Sequence, residues 1–165
     1  MKLHVKNPLV LMMLCLMTGV FITISFLETP MKFQVSGMTL PVALELGMMM
    51  FGISTKIQCV FLILIIAVMC ISRKNYKKTD FLMVLLVVII LLLEKFWMLP
   101  VLDTRAQLLS AGKPVPPSEM HNYFIYAESA KALFLCIIIA LQFTKQKTNT
   151  EKILHPIDQQ KDSNH

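Results

Sequence analysis

An all-α fold, a polytopic membrane bundle of four helices, is what this sequence predicts, and three observations predict it. Four tracts are long and apolar enough to cross a bilayer. Lys and Arg gather at the flanks of those tracts on alternate connections. Charged residues make up 16% of the chain and hydrophobic residues 56%, whereas a soluble domain is about a quarter charged. The 165 residues divide into one transmembrane domain, residues 1–143, and a polar tail, residues 144–165.

The first span is placed at 8–27. It carries no charge and is long enough to cross ~30 Å of hydrocarbon at ~1.5 Å per residue. Lys2 and Lys6 before it resemble the start of a secretory signal. The apolar run is long for one, however, and "ISFLETP" offers no small-x-small cleavage site, so a retained anchor is expected. The second span, 52–71, ends before "RKNYKK" and takes in Lys56 and Gln58. The third, 81–101, is aliphatic from Phe81 to Leu93 and is then broken by Glu94, Lys95 and an aromatic pair. The fourth, 121–143, is free of charge only from Ala132 onward.

The connections have their own signals. In "LDTRAQLLSAGKPVPPSEM", Asp103 to Ala111 is expected to form a short helix. Gly112 is a natural stop after it, and "KPVPP" is stiff and extended. Ser118 can cap the last helix, with Glu119 favouring its N-terminus. The first connection has Pro30, then "FQVSGMTLP", then a helix start near Glu45. The tail from Thr144 lacks apolar periodicity and is expected to be disordered, with His155 and His165 solvated.

Orientation follows from Lys2 and Lys6, from Arg73 to Lys78, and from Lys145 and Lys147. These flanks place both termini in the cytoplasm and the protein in a cell (inner) membrane, with the two longer connections outside. The net charge of +6 lies beside apolar spans, not on an aromatic-laced face, so lipid headgroups account for it and nucleic acid is excluded as a partner. Cys15, Cys59, Cys70 and Cys136 form no C-x-x-C and no zinc spacing. They read as buried thiols behaving as small hydrophobes. No cofactor or metal is expected.

Intramembrane charge is the main functional signal. Counted from the cytoplasmic flank at ~1.5 Å per residue, Glu94, Lys56, Lys131 and Glu128 all fall ~21–26 Å up. On the insertion scale each costs roughly 2.5–3.5 kcal/mol at mid-membrane, against about 0.3–0.6 returned per strong apolar residue. Pairing is the simplest compensation. Glu45 and Lys56 are eleven residues apart, as are Glu94 and Arg105, so each pair shares a helix face. His121, Glu128 and Lys131 are similarly in phase. These faces are expected to look into the bundle. The candidate polar site is therefore Glu45, Lys56, Glu94, Asp103, Arg105, His121, Glu128 and Lys131, with Lys95 and Trp97 as interface anchors. The halves also echo each other: a shift of 75 residues places Pro41 on Pro116, Phe51 on Tyr126 and Lys56 on Lys131. Two tandem two-helix repeats would fit that echo.

The stretches "TLPVALELGMMMFGISTKIQ" and "FWMLPVLDTRAQLLSAGKPVPPSEMHNYFIYAESAK" resemble a group of small bacterial four-helix membrane proteins of unknown function. More remotely, the chain is similar to duplicated-helix proteins of the copper-resistance D kind. The closer resemblance covers most of residues 28 to 135 and is carried by Trp97, Pro100, Asp103, Arg105, Gly112, Pro114, Pro117, Ser118, His121, Glu128 and Lys131. It implies a membrane location and a helical fold, and no activity. His121 is the one histidine near a span, too few for a copper or haem site.

Three functions stay open from the residues. The first is a non-enzymatic structural or accessory component held together by paired charges, with the bilayer, a homo-oligomer or another membrane protein as partner. The second is a small oligomeric proton-coupled transporter or ligand-binding protein using Lys56, Glu94, Glu128 and Lys131. The third is a lipid- or quinone-directed enzyme with His121 as general base, oriented by Glu128 or Asp103.

Overall fold

The structure is a computed structural model and describes residues 3–145. Four helices dominate: α1 (Pro8–Lys32), α2 (Leu40–Ile71), α3 (Lys78–Ser110) and α4 (Met120–Leu141). Each is long and apolar enough to cross a membrane. A short antiparallel pair, β1 (Leu3–Val5) and β2 (Phe143–Lys145), joins the two ends of the described chain. The helices pack in a ring, α1 on α2 and α4, and α3 on α2 and α4.

Local chemistry sets the helix ends. Asn7 caps α1, its side-chain oxygen accepting from the backbone of Leu9 at 3.0 Å and of Val10 at 3.4 Å, and Pro8 follows at the first turn. Gly112 ends α3 with φ +69°. The Ser118 hydroxyl accepts from the Met120 amide at 3.2 Å, as its position before α4 anticipates.

Three helices outrun the spans read from the sequence, while α4 ends at Leu141, two residues short of the expected 143. α2 begins at Leu40, twelve residues before the expected 52. α3 runs through Pro100 to Ser110 without a break, so Asp103 to Ala111 is not a separate helix. Proline lacks an N–H and crowds the carbonyl four residues back. In α1 and α3 a widened π-helical segment precedes the proline: Thr23–Glu28 before Pro30, and Glu94–Met98 before Pro100. The Thr29 hydroxyl donates to the Ile24 carbonyl at 3.0 Å, and the Leu99 amide to the Glu94 carbonyl. The wider register shifts the ladder ahead of the ring, and the helix continues.

The core is built from stripes at alternating spacings of three and four. In α1 these are Val10, Leu14, Met17 and Phe21; in α2 Leu62, Ile65 and Met69; in α3 Val84, Val87 and Leu91; in α4 Leu135 and Ile138. That period is the seam of a left-handed bundle. The cysteines depart from expectation. Cys15, Cys70 and Cys136 are exposed on the outer surface and Cys59 is half-buried, because none falls on its helix's stripe. Of the polar tail, Thr144 and Lys145 belong to β2; the disorder expected for residues 146–165 lies outside the described residues.

Candidate functional site

Two buried stripes carry charge. In α3 the inward positions are Asp80, Val84, Val87, Leu91, Glu94 and Met98; in α4 they are Phe124, Glu128, Lys131, Leu135 and Ile138, with Gln142 buried just past its end. Glu94 lies two heptads beyond Asp80 on the same seam. Lys131, 0% exposed, donates to Glu94 Oε2 across the interface and to Glu128 Oε1 on its own helix at 2.9 Å. Its ammonium also lies 4.7 Å from the centre of the Phe21 ring of α1, so three helices meet at this group. Glu94 and Glu128 are 1% and 6% exposed. One oxygen of each, Glu94 Oε1 and Glu128 Oε2, is buried and accepts no hydrogen bond among the described residues. Two carboxylates thus surround one ammonium, a formal charge of −1 if both are ionised, in surroundings where unpaired charge is costly.

The other candidates are not gathered there. Glu45 and Lys56 do share a face, as their spacing requires, but both are exposed. The inward face of α2 is instead Ala43, Gly47, Ser54, Thr55 and Gln58, roughly half a turn away. An eleven-residue spacing reports a common face without saying which way it points. Lys56 therefore does not pair with Glu94. Arg105 donates to the Pro116 carbonyl at 2.7 Å, tying α3 to the connection after it. Asp103 is half-buried and His121 exposed; both line a cavity of about 140 Å³. His121 and Glu128 line a second cavity, of about 240 Å³, with Phe26 and Thr29. Both lie below the usual ~300 Å³ of a ligand pocket, room for water or a small group. Lys95 and Trp97 are exposed, with Lys95 over the Phe96 ring at 5.4 Å. Among the described residues no group of three His, Cys, Asp or Glu side chains could hold a metal ion.

Two polar groups were not legible as sites. At the end where β1 meets β2, the Lys6 ammonium donates to both oxygens of Asp80 at 2.8 Å, with the two side chains 7% and 4% exposed. Asp80 also accepts from the Lys77 amide at 2.7 Å. The Tyr76 hydroxyl meets Gln142 Oε1 at 3.4 Å, and its pKa is pushed up to about 12 by burial and by the Asp80 carboxylate. Lys6 and Lys77 read as topology flanks, which hid their pairing with Asp80. At the opposite end, Lys32 is 7% exposed and lies over Gly47, where an added Cβ would sit 2.6 Å from its Nζ. The signal was Gly47, seven residues before Ser54 on the inward face, but ending the first span at Leu27 left Lys32 in a loop.

Comparison with protein-family models, with curated proteins and with solved structures finds no match.

Proposed function

We propose that this chain is a non-enzymatic multi-pass membrane protein, a structural or accessory component whose helices are held in register by the Glu94–Lys131–Glu128 cluster. The observation that carries this is the complete burial of Lys131 between the two carboxylates, with its charge directed to partners within the bundle. A group so enclosed fixes helix register and offers little to a ligand. The basic flanks support cytoplasmic ends for the chain, in the inner membrane of a cell.

Melting in detergent of Glu94→Gln, Lys131→Met and the double variant tests the cluster. Lys131→Met strands two buried carboxylates and should cost roughly 3–5 kcal/mol. The double variant should lose less than the sum of the singles. Strict additivity would show that Glu94 and Lys131 do not hold each other. Orientation is checked separately. Reporter fusions after residues 36 and 112 should fall on the outer side and a fusion after residue 76 on the inner side; any other pattern removes the proposed topology.

A second reading has its own observation. One ammonium serves two carboxylates, and Glu128, with an oxygen that accepts no hydrogen bond among the described residues, lines the 240 Å³ cavity. That surplus is what a proton-binding site needs. If reconstituted protein dissipates a pH gradient, and Glu128→Gln abolishes this while melting normally, the carrier reading displaces the structural one.

A further inference from the structure

At the loop end of the bundle Lys32 points inward and finds no acceptor. The residue is 7% exposed, and its nearest carboxylate oxygen among the described residues, Glu28 Oε2, stands 3.7 Å from Nζ, too far for a hydrogen bond. The ammonium is turned toward Gly47, where an added Cβ would lie 2.6 Å from Nζ, and toward the rings of Phe33 and Phe51, at 5.6 and 5.8 Å. All three of these neighbours line the cavity of about 140 Å³. A buried ammonium with unsatisfied N–H groups therefore faces that space, which receives side chains from all four helices.

The walls narrow what could occupy it. Small residues meet at this level, Ala43 and Gly47 on α2 and Ala106 on α3, and leave the space open. Phe124 adds a third aromatic wall, packed edge-on against Phe51 at 5.2 Å. An apolar cavity of about 150 Å³ holds one benzene ring, so the volume suits a single ring. Three polar side chains besides Lys32 border the cavity: Thr29, Asp103 and His121. The Thr29 hydroxyl already donates to the Ile24 carbonyl. His121 is exposed at the rim, and half-buried Asp103 enters from α3, the helix diagonal to α1 in the ring. Lys32 and Glu28 together are neutral, and Asp103 adds a negative charge, so a further anion is opposed. A neutral occupant is favoured, one that gives an acceptor to Lys32 and a donor to Asp103.

We propose that this cavity binds a hydroquinone-type ring, one ring oxygen accepting from Lys32 and the para hydroxyl donating to Asp103. The two oxygens of such a ring lie at opposite ends, as Lys32 and Asp103 lie on opposite helices. The aromatic walls take its faces and edges. The ring is either a free phenolic compound or the head of a membrane quinol. A quinol's chain has a way out through the neighbouring cavity of about 240 Å³, which shares Thr29, Phe51, His121 and Phe124 with the first. Lys32 follows Pro8 by twenty-four residues, ~36 Å of helix, so the site lies at headgroup level, within reach of both sources. Glu94, Lys131 and Glu128 do not line the 140 Å³ cavity, so the site goes beyond their role in helix register and stands or falls apart from it.

The test uses the full chain in oxygen-free detergent micelles, with fluorine NMR of fluorohydroquinone, fluorobenzene and fluorobenzoate as probes. Partition into the micelle cancels when each probe is compared between wild type and variant. Fluorohydroquinone should bind the wild type about tenfold more tightly than Lys32→Met, the value of one hydrogen bond to a charged group. Fluorobenzene should bind both equally. Asp103→Ala should weaken fluorohydroquinone several-fold, and Ala43→Leu, which fills the space, should remove both probes. Decyl-hydroquinone, dosed per mole of detergent, separates the sources: stronger displacement than by hydroquinone marks a membrane quinol, and equal or weaker displacement a free phenol. Absence of saturable fluorohydroquinone binding to the wild type overturns the proposal, whether or not a variant folds. So does tighter binding of fluorobenzoate than of fluorohydroquinone, because Lys32 would then serve an anion. Unchanged fluorohydroquinone affinity in a folded Lys32→Met protein overturns it as well.

Discussion

The two ends of the bundle treat the same chemistry in opposite ways. Where β1 meets β2, Lys6 and Asp80 bond at 2.8 Å, Asp80 also holds the Lys77 amide, and Tyr76 meets Gln142. At the loop end, Lys32 and Glu28 stand 3.7 Å apart with no hydrogen bond between them, and cavities surround them. A closed network contributes stability. An open one leaves free energy to be gained by whatever completes it. The difference marks the first end as a closed contact and the second as a looser one.

Substitution at each end tests that contrast. Asp80→Asn should have the largest effect, destabilising the protein by about 2–3 kcal/mol, because it strands the buried Lys6 ammonium and weakens the start of α3. Glu28→Gln should cost less, about 1 kcal/mol, because it removes an ion pair that makes no hydrogen bond, whereas Asp80 accepts three. Equal losses in detergent melting would erase the distinction between the ends. The smallest effect concerns pH. Tyrosine ordinarily titrates near 10, and Tyr76 is raised to about 12. Between these values the unfolded chain releases its proton and the folded chain keeps it. The Tyr76 contribution to stability is therefore constant below pH 10 and declines as pH rises toward 12. An absorbance titration of the wild type minus that of Tyr76→Phe should show one phenol near 12. A midpoint near 10 would mean that the Tyr76 end is open to water after all.

The four helices were legible because apolar length and basic flanks are strong signals that need no tertiary information. Glu94, Glu128 and Lys131 were legible for a related reason: a charge in an apolar helix demands a partner. Which lysine Glu94 meets was not legible from depth. Lys56 and Lys131 lie at similar heights, and only the seven-residue rhythm through Gly47 and Ser54 shows that Lys56 points away. The separate helix expected at Asp103–Ala111 is instead a continuation of α3, carried past Pro100 by the widened turn before it. Lys32 escaped because its burial depends on Gly47 in another helix, and a single-chain pattern does not report such a fit.

The strand pair carries a consequence for the order of assembly. Leu3 opposite Lys145 closes a loop spanning all the described residues. Closing a loop of n residues costs about (3/2)RT ln n in chain entropy before any contact offsets it. Neighbouring helices, joined by connections of only a few residues, meet far more cheaply. The strap between β1 and β2 therefore closes last, once α1 and α4 are already side by side. Its backbone amides would then report a finished bundle, becoming protected from exchange only when all four helices are in place.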